Sequence, residues 1–135
     1  MTFLTKLEIS KFSSVGGDLS VIDGCNLPFQ MKRLYWISNT PEGVIRGLHA
    51  HKKLFQFFTV IRGQVEIEIS DGKTSEIFIL QNDNTISILE PGFWRELRNF
   101  SFDCILLVGA SEDYSEEDYI RNWDEFLIYR KLKLT

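Results

Sequence analysis

The sequence predicts an all-β fold, an antiparallel sandwich or barrel, with a short helical segment towards its C-terminal end. Three observations predict it. Short apolar or alternating runs follow one another closely from residue 31 to residue 110. Turn residues punctuate them, at Arg62-Gly63, Asp71-Gly72, Asn82-Asp83-Asn84 and Pro91-Gly92. Apolar residues at helical spacing emerge only after Ser115. Many short strands at such spacing, with turn signals between them, are the signature of a sandwich or barrel.

The elements follow in order. The stretch from Phe3 to Asp23 is expected to add strands that either complete the sheet or reach across to a neighbouring subunit. Strands are expected at 31–38, 54–61, 64–70, 75–80, 85–89 and 104–110. Alternation is clearest at Val65, Glu66, Ile67, Glu68 and Ile69, where Val and Ile should face the core and both glutamates solvent. Asp71-Gly72 fits a tight hairpin turn, since Gly accepts positive φ without a Cβ clash. Ser115-Glu116-Glu117-Asp118 has the form of a capping box, with Ser115 as cap and Asp118 at the third helical position. Tyr119, Ile120, Trp123, Phe126 and Leu127 then recur at helical spacing. One or two helical turns packed on the barrel are expected there, with an irregular tail crossing the surface as the alternative.

Composition bounds the function. A chain of 135 residues suggests one domain over 1–135. With 44% hydrophobic and 13% aromatic residues it can build a core. So short a chain buries a modest fraction of its surface, and a partner subunit would add stability. The net charge of −4 argues against broad nucleic-acid binding. A few local Arg and Lys residues can still hold a small anion such as a phosphate pair. Cys25 and Cys104 lie in fairly apolar surroundings and are expected to be two buried thiols, not a disulfide framework. There is no apolar signal-peptide core and no run of about 18 apolar residues. A soluble cytoplasmic protein with no membrane partner is expected.

Both histidines of the chain occur together, as His49-Ala50-His51. Residues two apart on a strand point to one face, so the spacing aims both imidazoles at one place. Two inward imidazoles fill an apolar core poorly, because each ring nitrogen needs a partner. The bland alternative is a surface strand with incidental histidines. The wider spacing is more specific. Gly43 precedes His49, and Gln56 and Gly63 follow His51, in the manner of the first cupin motif, a glycine, a His-x-His pair, a glutamate and a glycine. Pro91-Gly92-Phe93-Trp94-Arg95, with Asn99 beyond, resembles the second. Metal-binding cupins supply three or four N/O ligands. Here an amide, Gln56, stands in place of the carboxylate, and a cation, Arg95, in place of a histidine. A cation there repels a metal, so no metal and no other cofactor is expected. The imidazoles remain suited to proton transfer near neutral pH. Arg46, Arg95 and Arg98 offer forks for phosphate or oxyanion charge. Tyr35, Trp36, Phe93 and Trp94 offer flat faces for a base or sugar.

The string Val44-Ile45-Arg46-Gly47-Leu48-His49-Ala50-His51-Lys52-Lys53, followed by Gln56, closely resembles the dTDP-4-oxo-6-deoxyglucose 3,4-ketoisomerase family of cupins. Pro28-Phe29, Lys32-Arg33, Trp94-Arg95 and Asp118-Tyr119-Ile120-Arg121-Asn122 extend the resemblance over nearly the whole chain. The resemblance implies a small double-stranded β-helix (jelly-roll) barrel in a cytoplasmic homodimer whose N-terminal strands are exchanged. It implies a metal-free enzyme acting on a dTDP-linked 4-oxo-6-deoxy sugar destined for bacterial surface glycans such as lipopolysaccharide O-antigen. The carbonyl would move from C4 to C3 through an enediol-like intermediate. His51 would be the base at C3, and His49 would shuttle a proton between the sugar oxygens or to C4. Arg46 and Arg95 would orient the sugar or bind the diphosphate, with Lys53 beside them. Arg33, Tyr35, Gln56 and Trp94 would complete the substrate contacts. The family often carries a large Arg or Tyr near the N-terminal strand that reaches the pocket, where this chain has Gly16. Loss of that side chain would remove a sugar or phosphate contact and bear on which C4 epimer forms, on which sugar is accepted, or on the level of activity. A non-catalytic nucleotide-sugar-binding cupin and a metal-dependent cupin enzyme are the competing expectations.

Overall fold

Alternation resolves into strands in the computed structural model, which describes residues 2–25 and 27–133. In chain order these are β1 (Leu4–Glu8), β2 (Ser10–Ser14), β3 (Gly17–Val21), β4 (Arg33–Ser38), β5 (Arg46–His51) and β6 (Gln56–Arg62). Then come β7 (Gln64–Ser70), β8 (Ser75–Gln81), β9 (Thr85–Leu89), β10 (Trp94–Arg98), β11 (Ile105–Ala110) and β12 (Tyr119–Ile120). A 3-10 turn over Glu116–Asp118 precedes β12, and helix α1 spans Trp123–Lys133.

Two five-stranded antiparallel sheets result, ordered β1-β9-β6-β11-β4 and β12-β5-β10-β7-β8. Their facing residues form one core. Phe58, Val60, Leu89, Leu106 and Val108 come from the first sheet, and Val65, Ile67, Ile69, Leu80 and Leu97 from the second. Val65, Ile67 and Ile69 are fully buried as their alternation requires. Each such side chain contributes about 1.5–3 kcal/mol through removal from water. The fold is the jelly-roll barrel expected, and β1 completes the first sheet within the same chain by pairing with β9.

A second apolar layer covers the outside of the first sheet, where Phe57, Ile86 and Ile88 meet Ile22, Leu27 and Phe29. Gly109 makes this possible, since a Cβ there would lie 2.0 Å from Phe57 Cε2. A third layer lies outside the second sheet. Helix α1 drops the fully buried Phe126 onto Ala50, Trp94 and Ile120. The strand carrying both histidines is therefore backed by a packed helix and not by solvent.

Two expectations change here. Cys104 is buried, but Cys25 is exposed, beside the turn that follows Asp23. The capping box does not start the helix. Ser115 makes no side-chain cap bond, and Tyr119–Ile120 is extended as an edge strand on β5. The helix starts four residues beyond Tyr119, where Asn122 Oδ1 accepts the Glu125 N–H at 3.0 Å, and it runs for 11 residues. Asn, like Ser, satisfies an otherwise orphaned N–H of a first helical turn. The edge strand prevails because Ile120 fills the space between Ala50 and Phe126.

Candidate active site

The site is built on β5 and its two neighbours. Gly47 and Leu48 both have positive φ, at 84° and 58°, which kinks the strand just before the histidines. A Cβ on Gly47 would approach the Arg95 carbonyl oxygen to 2.9 Å, so glycine lets β10 come this close. Beyond the kink, His49 and His51 share the inner face while Ala50 faces α1. On one side β10 places Arg95 opposite His49. On the other β12 places Tyr119 opposite His51.

The imidazoles meet edge to face with centroids 4.8 Å apart. The Tyr119 ring lies against both, 4.3 Å from His51 and 4.9 Å from His49. His49 Nδ1 is 2.9 Å from the Gly47 carbonyl, which can only accept, so His49 carries its proton on Nδ1. His51 Nδ1 is 2.9 Å from Asp118 Oδ2 and donates likewise to the carboxylate. Both neutral rings therefore keep a bare Nε2. That of His51 is buried with no partner among the described residues.

Arg95 is fully buried behind the rings. One Nη donates to Gln56 Oε1 and the other to the Phe93 carbonyl, while Nε has no partner. Gln56 Nε2 in turn donates to the Tyr35 hydroxyl at 3.1 Å. No carboxylate is bonded to this guanidinium among the described residues, and its charge acts on its surroundings. Burial, reinforced by Arg95, holds His49 down at about 4 and His51 at about 2. Burial lowers Arg95 itself only to about 10, so it stays a cation at neutral pH.

A cavity of about 400 Å³ opens beside the rings, lined by Arg33, Tyr35, Arg46, His49, Tyr119 and Arg121. Arg46 is exposed at its mouth. Arg121 stacks on Tyr119 at 4.1 Å and is gripped by Glu116, with Nε 2.6 Å and Nη2 2.9 Å from its two oxygens. The expected residues Arg33, Tyr35, Arg46 and His49 thus share this cavity, with His51 just behind His49. Gln56 and Arg95 lie deeper and do not reach the mouth. Arg95, expected to orient the sugar or bind the diphosphate, is turned into the barrel by strand alternation and lies away from the cavity mouth.

Trp94 and Lys53 are not brought together with the rest. Trp94, one residue from Arg95, faces the other side of the sheet, against Trp123 and Phe126, with Nε1 donating to Glu96. The same alternation sets Arg98 outward, paired with Glu68 and Glu96. Trp94→Phe is expected to cost about 1–3 kcal/mol in a urea melt, through the lost bond to a carboxylate. Nucleotide affinity should stay unchanged, and a drop would return Trp94 to the site. Lys53 lines a different open groove of about 850 Å³, with Lys52, Glu112, Asp113 and Glu117. That groove is larger, but its carboxylates make it a poor host for a diphosphate.

Asp118, Tyr119 and Arg121 are site residues that spacing assigned to a helix start or left without a role. The available signal was their place in the string that resembles the ketoisomerase family. Among the described residues no group of three or more His, Cys, Asp or Glu is arranged to hold a metal ion. Nor is any helix long and apolar enough to cross a membrane.

Comparison with known proteins finds relatives along nearly the whole chain. The family model described as "FdtA: WxcM-like, C-terminal" matches residues 4–131. The chain is 36% identical over 116 residues to the TDP-4-oxo-6-deoxy-alpha-D-glucose-3,4-oxoisomerase of Aneurinibacillus thermoaerophilus, covering 86% of this chain and 84% of that protein. It superimposes with a TM-score of 0.94 and 33% identity on the sugar 3,4-ketoisomerase QdtA of Thermoanaerobacterium thermosaccharolyticum in complex with TDP, covering 98% of each chain. A 3,4-ketoisomerase of Helicobacter canadensis gives a TM-score of 0.91 at 36% identity, covering 95% of this chain and 97% of that one.

Proposed function

Because the chain belongs to the WxcM-like sugar 3,4-ketoisomerase family of cupins, we propose that it moves the carbonyl of a dTDP-linked 4-oxo-6-deoxyhexose from C4 to C3. The observation that carries this reading is the pair of neutral imidazoles with bare Nε2 atoms beside a buried cation. The C4 carbonyl acidifies the C3–H bond. One imidazole takes that proton, and the bond electrons form a C3=C4 enediolate with its charge on O4. The second imidazole takes the proton of the O3 hydroxyl and gives it to O4. The first imidazolium exchanges its proton with solvent, and the O3 electrons then form the C3 carbonyl as C4 accepts the exchanged proton from it. Two neutral bases are what this sequence needs at its start. From behind the rings the Arg95 cation would stabilise the enediolate charge across a water-poor interior. Arg33 and Arg46 at the mouth suit a diphosphate, and Tyr35 offers its ring to the sugar. No step requires a metal.

The chain is proposed to work as a cytoplasmic homodimer in deoxysugar synthesis for surface glycans. The β2–β3 hairpin supports the dimer, since it forms a sheet of its own and exposes Phe12, Val15 and Leu19. Leu34 and Trp36 are also exposed, on the edge strand β4. Gly16 at the hairpin turn would offer no side chain to a neighbouring pocket.

Incubation with dTDP-4-oxo-6-deoxyglucose in deuterated water, with and without chelator, tests the activity. The expected product is a 3-oxo sugar carrying deuterium at C4, formed equally with chelator present. Tight binding without exchange would mark a binding module, and chelator-sensitive turnover a metal enzyme. Either result would overturn the proposal.

A further inference from the structure

We propose that Asp118 is a positioning residue that fixes His51 in the tautomer able to act as a base. The inference rests on the ketoisomerase reading of the same site. Asp118 sits at the last position of the 3-10 turn, directly before β12. Its backbone is tied on both sides: its N–H donates to the Ser115 carbonyl at 3.1 Å, and its carbonyl accepts from Lys52 at 3.0 Å. Its side chain is only 12% exposed. Ser115 makes no side-chain cap bond at the start of this turn, so the segment does not work as a helix cap. The carboxylate instead divides its two oxygens between two donors. Oδ1 accepts the Lys53 backbone N–H at 2.7 Å, and Oδ2 faces His51 Nδ1 at 2.9 Å.

This division is the core of the inference. The Lys53 N–H is an obligate donor that cannot reverse its role. It anchors one oxygen and thereby aims the other at the ring. Nδ1 must then carry the proton, and Nε2 is left bare beside Arg95 and His49. The surroundings give Asp118 a second task. Arg95 from β10, His49 on β5, Arg33 from β4 and Arg121 beyond β12 all oppose a charge on His51, and the Tyr119 ring lies against it. When His51 takes a proton, the bonded carboxylate is the group that offsets the new charge.

An Asn at this position discriminates sharply. Its amide has one oxygen for two donors. The Lys53 N–H keeps that oxygen, and the NH₂ then faces His51 Nδ1. The ring must accept there, which moves its proton to Nε2 and removes the base from the pocket. Asp118→Asn is therefore expected to lower kcat by about 10³–10⁴-fold, the scale of the Asp-to-Asn change in a serine-protease triad. TDP affinity should be unchanged, and Asp118→Glu should recover part of the rate. Nitrogen-15 NMR of the labelled full chain reads the tautomer directly. Wild type should show His51 protonated on Nδ1, and Asp118→Asn should show it protonated on Nε2. Near-normal kcat in Asp118→Asn would overturn the proposal. So would a lost rate without tautomer reversal, or with TDP binding lost as well, because those outcomes mark a structural role. Should the variant fail to fold, the wild-type spectrum decides, and a bare Nδ1 on His51 overturns the proposal. The tautomer is read without sugar, so this outcome is separable from failure of the ketoisomerase reading.

Discussion

Replacing either histidine by asparagine is expected to lower kcat by about 10²–10⁴-fold while leaving the fold and TDP affinity intact. Asparagine keeps a polar side chain on the inner face but cannot carry a proton at neutral pH. The double variant should be little worse than either single one, because the two rings serve one transformation and their losses are not additive. The singles should differ in a second measurement. With substrate deuterated at C3 in ordinary water, the variant that keeps the carbon base should still wash out the label without forming product. The variant that lacks it should do neither. The expectation drawn from the family resemblance makes His51 that base. The geometry adds a test of it, since His49 lines the cavity while His51 is fully buried behind it. Full turnover in either variant would remove that residue from the chemistry. Circular dichroism and TDP titration separate loss of chemistry from loss of structure.

Much of this site was legible in the order of residues, and what was not has a physical reason. His49 and His51 reveal themselves because strand periodicity is two and the pair is separated by one residue. Val65, Ile67 and Ile69 announce a core face in the same way. The motif position of Arg95 was legible, but its depth was not. Burial of a guanidinium depends on a partner from another strand, here Gln56, which lies 39 positions away. Trp94 misleads because it adjoins Arg95 in sequence, and adjacency on a strand means opposite faces. Asp118 misleads for a subtler reason. Ser-x-x-Asp before an apolar run offers a good local structure, but the carboxylate finds stronger partners 65 and 67 positions away. Local propensity sets an order-of-magnitude preference of about 1 kcal/mol at a cap. A buried charge-assisted bond exceeds that. Cys25 is exposed although its neighbours are mostly apolar, because the turn that carries it closes through Asp23 at the surface.

Lowering the pH from 7 to 5 is expected to reduce unfolding stability by up to about 4 kcal/mol through these two histidines. In the unfolded chain both would titrate near 6.5. In the folded chain burial and Arg95 depress His49 to about 4 and His51 to about 2. Below pH 6.5 the unfolded state therefore binds protons that the folded state refuses. Stability falls as pH falls, by about 1.4 kcal/mol per unit for each ring. The contribution of His49 stops changing once pH passes its folded value, while that of His51 continues lower. Asp18, Glu68, Asp71, Asp83 and Glu116 are all lowered from ordinary carboxylate values, so their losses begin only below about pH 5. Urea midpoints between pH 7 and 5 thus isolate the histidines, and the double Asn variant should flatten the slope. Arg95→Met should flatten it partly, because both rings lose the cation that opposes their protonation. The same variant should cost little stability at pH 7. A buried cation held by an amide and a carbonyl is expensive to keep, and its removal offsets the partner left to Gln56. Turnover should nonetheless fall by about 10²-fold, since the developing enediolate loses its counter-charge. An unchanged slope in Arg95→Met would mean that burial alone keeps the rings neutral. A shallower slope with lower turnover would show one buried guanidinium doing two jobs: holding two bases ready and meeting the anion they create.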